Sequence, residues 1–260
     1  MIVTDDTLER SAVSADERGL TLPEPYYQDD ASGITIYHGD CRDILPSIDT
    51  ASVDLVLSDP PYGVGYVTAR RSRNDPLVAP IQGDESLNVL ADAMPQLDRM
   101  LRNDRHAYMF ASAAKIGETC DLVADFWKVK NVIVWDKGDA GSVGDLEAGY
   151  AVCWEGIVYA NKGRRALSGG RPRSVYRYDW SGTRDPVHPT VKPVGLLSWL
   201  VAKSTDIGEL VIDPFMGSGT TLRSAKDLGR RAIGIEIEEK YCEIAAKRLQ
   251  QSVLPGMEGI

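Results

Sequence analysis

The chain is predicted to be an α/β protein built on one mostly parallel sheet. Three observations carry this prediction. Short apolar runs alternate along the sequence with amphipathic stretches of helical period, the pattern of strands joined by crossover helices. Two of those runs, Val53-Asp54-Leu55-Val56-Leu57-Ser58 and Leu210-Val211-Ile212, lead directly into Asp59-Pro60 and Asp213-Pro214. Open α/β sheets place their ligands at such carboxyl ends of strands. Finally, 260 residues with 43% apolar content suffice for one large core, or one domain with a small appendage.

From the start of the chain, residues 1–25 are polar with little periodicity and read as a flexible acidic arm. Residues 1–30 hold eight acids against two arginines, a charge of −6. Strands are expected over 33–38, 53–58, 106–112, 131–135, 152–160, 210–213 and 231–236. Each is a short apolar run bounded by turn residues. Helices are expected over 87–101, 114–127, 194–204, 220–228 and 240–251. The last gathers Tyr241, Ile244, Ala245 and Leu249 on one face, as a helix packed on a sheet requires. Residues 136–149, rich in Gly and Asp, read as a loop. Residues 162–189 show no clear period and contain Gly163, Gly169, Gly170, Pro172 and Gly182, which marks an insertion with special duties or a disordered one.

The tetrapeptide Asp59-Pro60-Pro61-Tyr62 carries the first chemical signal. Its prolines end the ladder and fix the loop backbone, leaving a carboxylate, a backbone carbonyl and an aromatic ring at one point. That set suits a flat nucleobase with an exocyclic amine. Asp59 and the Pro60 carbonyl can each accept one N–H while Tyr62 stacks on the ring. The amine lone pair is normally delocalised into the ring. Two acceptors off the ring plane favour a pyramidal nitrogen with its lone pair available, which stabilises the transition state selectively. The plain alternative is a strand followed by a proline-rich turn.

The second signal is Asp213-Pro214-Phe215-Met216-Gly217-Ser218-Gly219-Thr220-Thr221, a Gly-x-Gly turn between a strand and a helix. Glycines let the backbone approach a ligand, and a helix N-terminus offers N–H groups to an anion. The next strand, Arg231-Ala232-Ile233-Gly234-Ile235-Glu236, ends in an acid about 20 residues on, the place for a carboxylate that binds ribose hydroxyls. Leu222 stands where a dinucleotide fingerprint has its third glycine, and Asp213 and Phe215 leave no room for a pyrophosphate. A nucleoside with a small charged tail fits, and S-adenosyl-L-methionine is such a molecule.

These motifs resemble those of the DNA amino-methyltransferases, which methylate exocyclic amines of adenine or cytosine. In that family Asp-Pro-Pro-Tyr is the catalytic motif and Asp-Pro-Phe-x-Gly-x-Gly-Thr-Thr a cofactor motif. Here the catalytic motif comes first, as in the circularly permuted beta group. The resemblance runs from about Tyr26 to Leu249. It implies a single Rossmann-like methyltransferase domain over 26–252, with a seven-stranded, mostly parallel sheet containing one antiparallel strand. The domain would comprise a catalytic half (26–162), a DNA-recognition insertion (163–187) and a cofactor-binding half (188–252). It further implies that Asp40, in Tyr37-His38-Gly39-Asp40, binds the cofactor adenine. Lys192, in His188-Pro189-Thr190-Val191-Lys192-Pro193, would contact the methionine carboxylate. With these, Asp213, Phe215, Gly217, Gly219, Thr220 and Glu236 are the expected cofactor residues, and Asp59, Pro60, Pro61 and Tyr62 the catalytic ones.

Double-stranded DNA is the expected partner, although the net charge of −9 argues superficially against it. The distribution answers the objection. Residues 161–185 hold Lys162, Arg164, Arg165, Arg171, Arg173, Arg177 and Arg184 against Asp179 and Asp185, a balance of +5. Arg70, Arg71 and Arg73 follow the catalytic loop. Charge runs are usually solvated surface, but two clusters flanking a base-modifying loop suit phosphate contacts. The DNA-binding candidates are therefore Arg70, Arg71, Arg73, Arg164, Arg165, Arg171, Arg173 and Arg177.

The four cysteines, Cys41, Cys120, Cys153 and Cys242, form no C-x-x-C pair, and the three histidines lie far apart. No metal or disulfide framework is expected, and a reducing cytoplasm fits. No apolar stretch reaches membrane-span length, and the N-terminus lacks signal-peptide character. A homodimer is left open. Of the remaining residues, Glu155 matches a position where the family often has an acid on the target side, but reads here as an exposed strand residue. Trp135 and Trp199 read as core, and Tyr66 as a neighbour of Tyr62. Asp59 in the first motif position favours adenine-N6 over cytosine-N4 methylation, with RNA methylation third. Asp59 also disfavours glutamine methylation, where that position is usually Asn. A catalytically dead binding module has no support, and Leu222 disfavours a dehydrogenase.

Overall fold

The computed structural model describes residues 21–61, 87–138, 147–178 and 192–251. The strands are β1 (Tyr27–Asp29), β2 (Ile34–His38), β3 (Val53–Ser58), β4 (Leu101–Ala111), β5 (Lys128–Asp136), β6 (Trp154–Lys162), β7 (Val175–Arg177), β8 (Leu210–Asp213) and β9 (Arg231–Glu236). The helices are α1 (Cys41–Ile44), α2 (Asn88–Met100), α3 (Ile116–Ala124), α4 (Val194–Ser204), α5 (Thr220–Asp227) and α6 (Glu239–Gln250). Among the described residues the strands form one sheet in the order β1-β2-β9-β8-β3-β4-β6-β5-β7.

The α/β class is as expected, and all seven expected strands are present. The strand count is corrected to nine by β1 and β7, three-residue strands at the two edges. Three residues give no alternation to read, and their identities, Tyr-Gln-Asp and Val-Tyr-Arg, are not an apolar run. β1 turns back antiparallel onto β2 through a corner closed by Asp29, whose carboxylate accepts from Ser32 N and Ser32 Oγ. β6 runs antiparallel to both β4 and β5, so two strands, not one, oppose the majority direction. The expected acidic arm lies mostly outside the described residues. Its end does not: Leu22 packs against the core.

β3 is buried on both faces, as a central parallel strand must be. One face of the sheet joins Val56, Met109 and Val158 to Leu90, Met94 and Leu97 of α2. The other joins Leu57, Phe110 and Val211 to Leu196 and Leu200 of α4 and Leu222 of α5. Trp135 belongs to this second layer as expected, while Trp199 is half-buried and stacks on Tyr176 at 4.6 Å.

Asp54 interrupts the apolar run of β3 for a reason visible at the amino end of the strand. Its carboxylate accepts from Arg102 Nη1 (2.8 Å), Arg105 Nε (3.0 Å) and the Leu210 backbone N–H (2.9 Å). Burial pushes this carboxyl up, but the Leu210 N–H and the two arginines outweigh it and hold it below the usual range. Asp54→Ala is therefore expected to destabilise the fold by roughly 2–4 kcal/mol, less than a fully buried pair because Arg102 keeps access to water. Denaturant titration measures this, and a change below about 0.5 kcal/mol, the level of ordinary surface substitutions, would contradict it.

Candidate active site

Parallel pairing of β3 with β8, Leu55 beside Val211 and Val56 beside Ile212, brings Asp59 and Asp213 to one sheet edge although about 150 residues separate them. Ser58 Oγ donates to Asp213 Oδ1 at 3.3 Å and ties the two strand ends together. The same carboxylate accepts from Phe215 N (3.1 Å) and Thr221 Oγ1 (2.6 Å). Asp213 thus shapes its own turn, and its polar contacts are to protein. Burial pushes its carboxyl up to about 7, against the lowering effect of Thr221 and Phe215.

The two glycines of the turn have different reasons. Both take positive φ, 51° at Gly217 and 77° at Gly219. A Cβ at Gly217 would meet nothing within 4 Å among the described residues, so this backbone borders open space. A Cβ at Gly219 would lie 2.7 Å from Ala245 Cβ of α6, and its N–H is donated to Met216 O. Gly219 is thus needed to seat a helix. Thr220 is buried and its Oγ1 accepts from Arg248 of α6. Phe215 packs partly into the core. Leu222 sits against Gly234 of β9, where a Cβ would meet it at 2.8 Å: the fingerprint's close approach is kept, with the glycine on the strand instead of the helix.

Glu236 closes this corner. It accepts from Gly217 N and Glu238 N, both at 2.9 Å, while its own carbonyl receives Gly39 N at 2.9 Å. Burial raises its carboxyl. The Gly39 contact brings Asp40 beside the corner. Asp40 caps α1 by accepting from Arg42 N at 2.9 Å and is gripped by the Arg42 guanidinium at 2.6 Å, which holds its carboxyl low. It lines a cavity of about 360 Å³ with His38, Gly39 and Ile44, facing Leu22 and Pro23 of the N-terminal segment.

On the other side of Asp213 lies a chain of part-buried charges centred on the buried Lys192. Lys192 Nζ sits 2.6 Å from Asp59 Oδ2 and 3.1 Å from Glu155 Oε2, under the ring of Phe110. Burial lowers the Lys192 ammonium, but Asp59 and Glu155 more than reverse this and bring it to about 12. Glu155 also binds Lys137. The expectation that Glu155 is exposed is corrected: its side chain is 17% exposed, because β6 is an interior strand and the residue stands beside Trp135 of β5. An acid inside an apolar run, together with its match to the family's acidic position, was the signal for it.

Pro60 is buried and Pro61 partly so. Tyr62, Tyr66, Arg70, Arg71 and Arg73 lie outside the described residues. The 163–187 segment is not a single surface. Arg164 and Arg165 follow the end of β6, at the sheet edge opposite Asp59. Arg165 binds Glu209 and Asp206, and its carbonyl lies 3.1 Å from His106 Nε2. Its reading as a DNA contact is corrected, since a guanidinium committed to two acids is structural, and Arg164 shares its location. Arg171 and Arg173 are exposed, and Arg177, opposite Asp136, returns to the Asp59 edge.

Fold and site together define an α/β protein with an acidic loop and a glycine-bearing corner at one edge of the sheet. Residues 53–247 match the family model described as DNA methylase, and the chain belongs to that family. It is similar to the type II methyltransferase M2.DpnII of Streptococcus pneumoniae, 28% identical over 89% of this chain and 94% of that protein. It is also similar to the DNA adenine methyltransferase YhdJ of Escherichia coli, 28% identical over 83% of this chain and 82% of that protein. Among solved structures, the M1.HpyAVI–SAM complex aligns with a TM-score of 0.63 at 23% identity, over 84% of this chain and 100% of that one. The cytosine-N4-specific PvuII DNA methyltransferase aligns at 0.70 and 16% identity, over 88% and 89%. These structures establish the shared fold. Among the described residues no helix is long and apolar enough to cross a membrane, and no group of His, Cys, Asp and Glu is arranged to hold a metal.

Asp213 gives stability a pH signature. A carboxyl raised from 3.8 to about 7 binds its proton more tightly in the folded state. The associated stability is fully present below about pH 4 and is lost as pH rises through 7. Ligand-free protein is expected to lose stability across this range, and Asp213→Asn to flatten the decline. Denaturant titrations of both proteins from pH 5 to 8 check this; parallel curves would mean that Asp213 is already ionised in the fold.

Proposed function

We propose that the chain transfers the methyl group of S-adenosyl-L-methionine to the exocyclic N6 of adenine in double-stranded DNA. The observation that supports it most is the single edge shared by Asp59 and the Gly217–Glu236 corner. The corner suits the cofactor. Among the described residues nothing stands within 4 Å of a Cβ at Gly217, a part-buried carboxylate stands at Glu236, and a second carboxylate lines the cavity at Asp40. In this reading Glu236 accepts from ribose hydroxyls, Asp40 from the adenine, and Lys192 faces the carboxylate of the methionine tail. When bound, the cofactor supplies an electrophilic methyl group on a sulfonium.

The protein's part is to make the amine a nucleophile. Asp59 accepts one amine N–H and the Pro60 carbonyl the other, so that the nitrogen lone pair is no longer shared with the ring. Tyr62 stacks on the extruded base, and the cost of extrusion is a few kcal/mol. Lys192 Nζ pairs with Asp59 Oδ2 at 2.6 Å and leaves Oδ1 to accept from the amine. Adenine is favoured by Asp at the first motif position and by the adenine-specific relative. Arg171, Arg173 and Arg177, with Arg70, Arg71 and Arg73, are the remaining candidates for phosphate contact.

Asp59→Ala is expected to abolish methylation while leaving cofactor affinity nearly intact. Tritium incorporation into duplex DNA, compared with calorimetric titration of the cofactor, tests this. Nucleoside analysis of the wild-type product decides the base, with N4-methylcytosine overturning the adenine assignment.

The arginines divide by location. Arg171→Ala, Arg173→Ala and Arg177→Ala should each reduce the salt slope of DNA binding by about one, whereas Arg165→Ala should lower stability and leave the slope unchanged. Binding isotherms at several salt concentrations distinguish the two behaviours.

A further inference from the structure

Glu155 has no part in the roles given so far, yet it is built into the catalytic edge. Its two carboxylate oxygens are divided between two lysines. Oε1 binds Lys137, which directly follows β5, and Oε2 lies 3.1 Å from Lys192 Nζ. Lys192 in turn reaches Asp59 at 2.6 Å. Two acids and two bases from four separate stretches of chain therefore alternate in one line, Asp59–Lys192–Glu155–Lys137, with no net charge. Aromatic faces flank both ammonium groups, Phe110 at 5.2 Å from Lys192 and Trp135 at 5.0 Å from Lys137.

A buried ammonium draws on every carboxylate in reach, because an unpaired charge there costs several kcal/mol. If Asp59 were the sole partner of Lys192, that charge-assisted bond would fix the carboxylate toward the lysine and away from the target amine. A second carboxylate on the far side of Lys192 shares the pull. Lys137 then keeps that second carboxylate ionised.

We propose that Glu155 is a positioning residue for methyl transfer, acting through Lys192 to keep the Asp59 carboxylate aimed at the target amine and free to accept from it. The proposal rests on the reading of Asp59 as the amine acceptor. Glu155 touches neither substrate nor cofactor in this scheme. It sets the geometry and basicity of the group that does.

The test is the single-turnover rate of methyl transfer, with S-adenosyl-L-methionine and duplex DNA both saturating, for wild type, Glu155→Gln, Glu155→Asp and Asp59→Ala side by side. Glu155→Gln is expected to bind cofactor and DNA within about threefold of wild type and to lose about 10–100-fold in rate, the loss that a misplacement of about 1 Å produces. Its rate should also fall at high pH, where wild type stays level. Lys192, left with Asp59 and the cofactor carboxylate as partners and with Lys137 still nearby, holds its proton less tightly than in wild type. A purely structural role would lower the rate alike at every pH. Glu155→Asp keeps the charge and should recover most of the rate. If Glu155→Gln does not fold, Glu155→Gln/Lys137→Gln removes the stranded ammonium and should show the same loss. Rates within about twofold of wild type for the glutamine variants, an aspartate variant as impaired as the glutamine one, or a loss with no change in pH profile would each overturn the proposal. An active Asp59→Ala would mean that the reading of Asp59 itself fails, and the proposal with it.

Discussion

Parallel pairing of β3 with β8 joins stretches of chain about 150 residues apart, and its register is clamped by polar contacts at both ends. At the amino end Asp54 accepts the Leu210 N–H; at the carboxyl end Ser58 donates to Asp213. A slip of one residue would turn every side chain of either strand to the wrong face and break both clamps. With the register held, Asp59 begins its loop beside the turn that carries Gly217, and β9 delivers Glu236 to the same turn. Everything assigned to chemistry follows from that alignment.

The two edges of the sheet use buried charge differently. At the amino edge Asp54, Glu209 and Asp206 are matched by Arg102, Arg105 and Arg165 in a network that fastens β3, β4, β6 and the chain between α4 and β8. Arginine suits this task, since its planar fork can hold two acids at once and does not lose its charge. At the carboxyl edge the bases are Lys192 and Lys137. A compact ammonium on a flexible stem can sit between two carboxylates, as Lys192 does between Asp59 and Glu155.

Glycine has equally local meanings in the Gly217–Gly219 turn. Gly219 is required because α6 packs where its side chain would be, and Gly217 because its φ of 51° is one that side chains rarely adopt. The relation between Leu222 and Gly234 adds to this. The close helix–strand approach that a dinucleotide fingerprint secures with a glycine on the helix is secured here with one on the strand. Similarity to solved methyltransferases at 16–23% identity reflects this scaffold, while function lies in the loops that the scaffold presents.

The sequence by itself determined the α/β class, the seven principal strands and the two motif-bearing loops, because buried parallel strands are continuous apolar runs and both loops begin at Asp-Pro. It did not assign Asp54 or Glu155, and it read Glu155 as exposed. The three-residue strands β1 and β7 were not legible, since so short a segment gains its ladder from a neighbour and not from its own pattern. The arginine-rich segment read as one basic surface, yet the backbone turns within it and sends Arg165 to an acidic pocket and Arg177 to the opposite edge. The bridge from Asp59 through Lys192 to Glu155 likewise arises only in the folded chain. Local sequence carries burial and turn chemistry, but which charge meets which is decided by the order of strands in the sheet, and β3, β6 and the start of α4 become neighbours only through it.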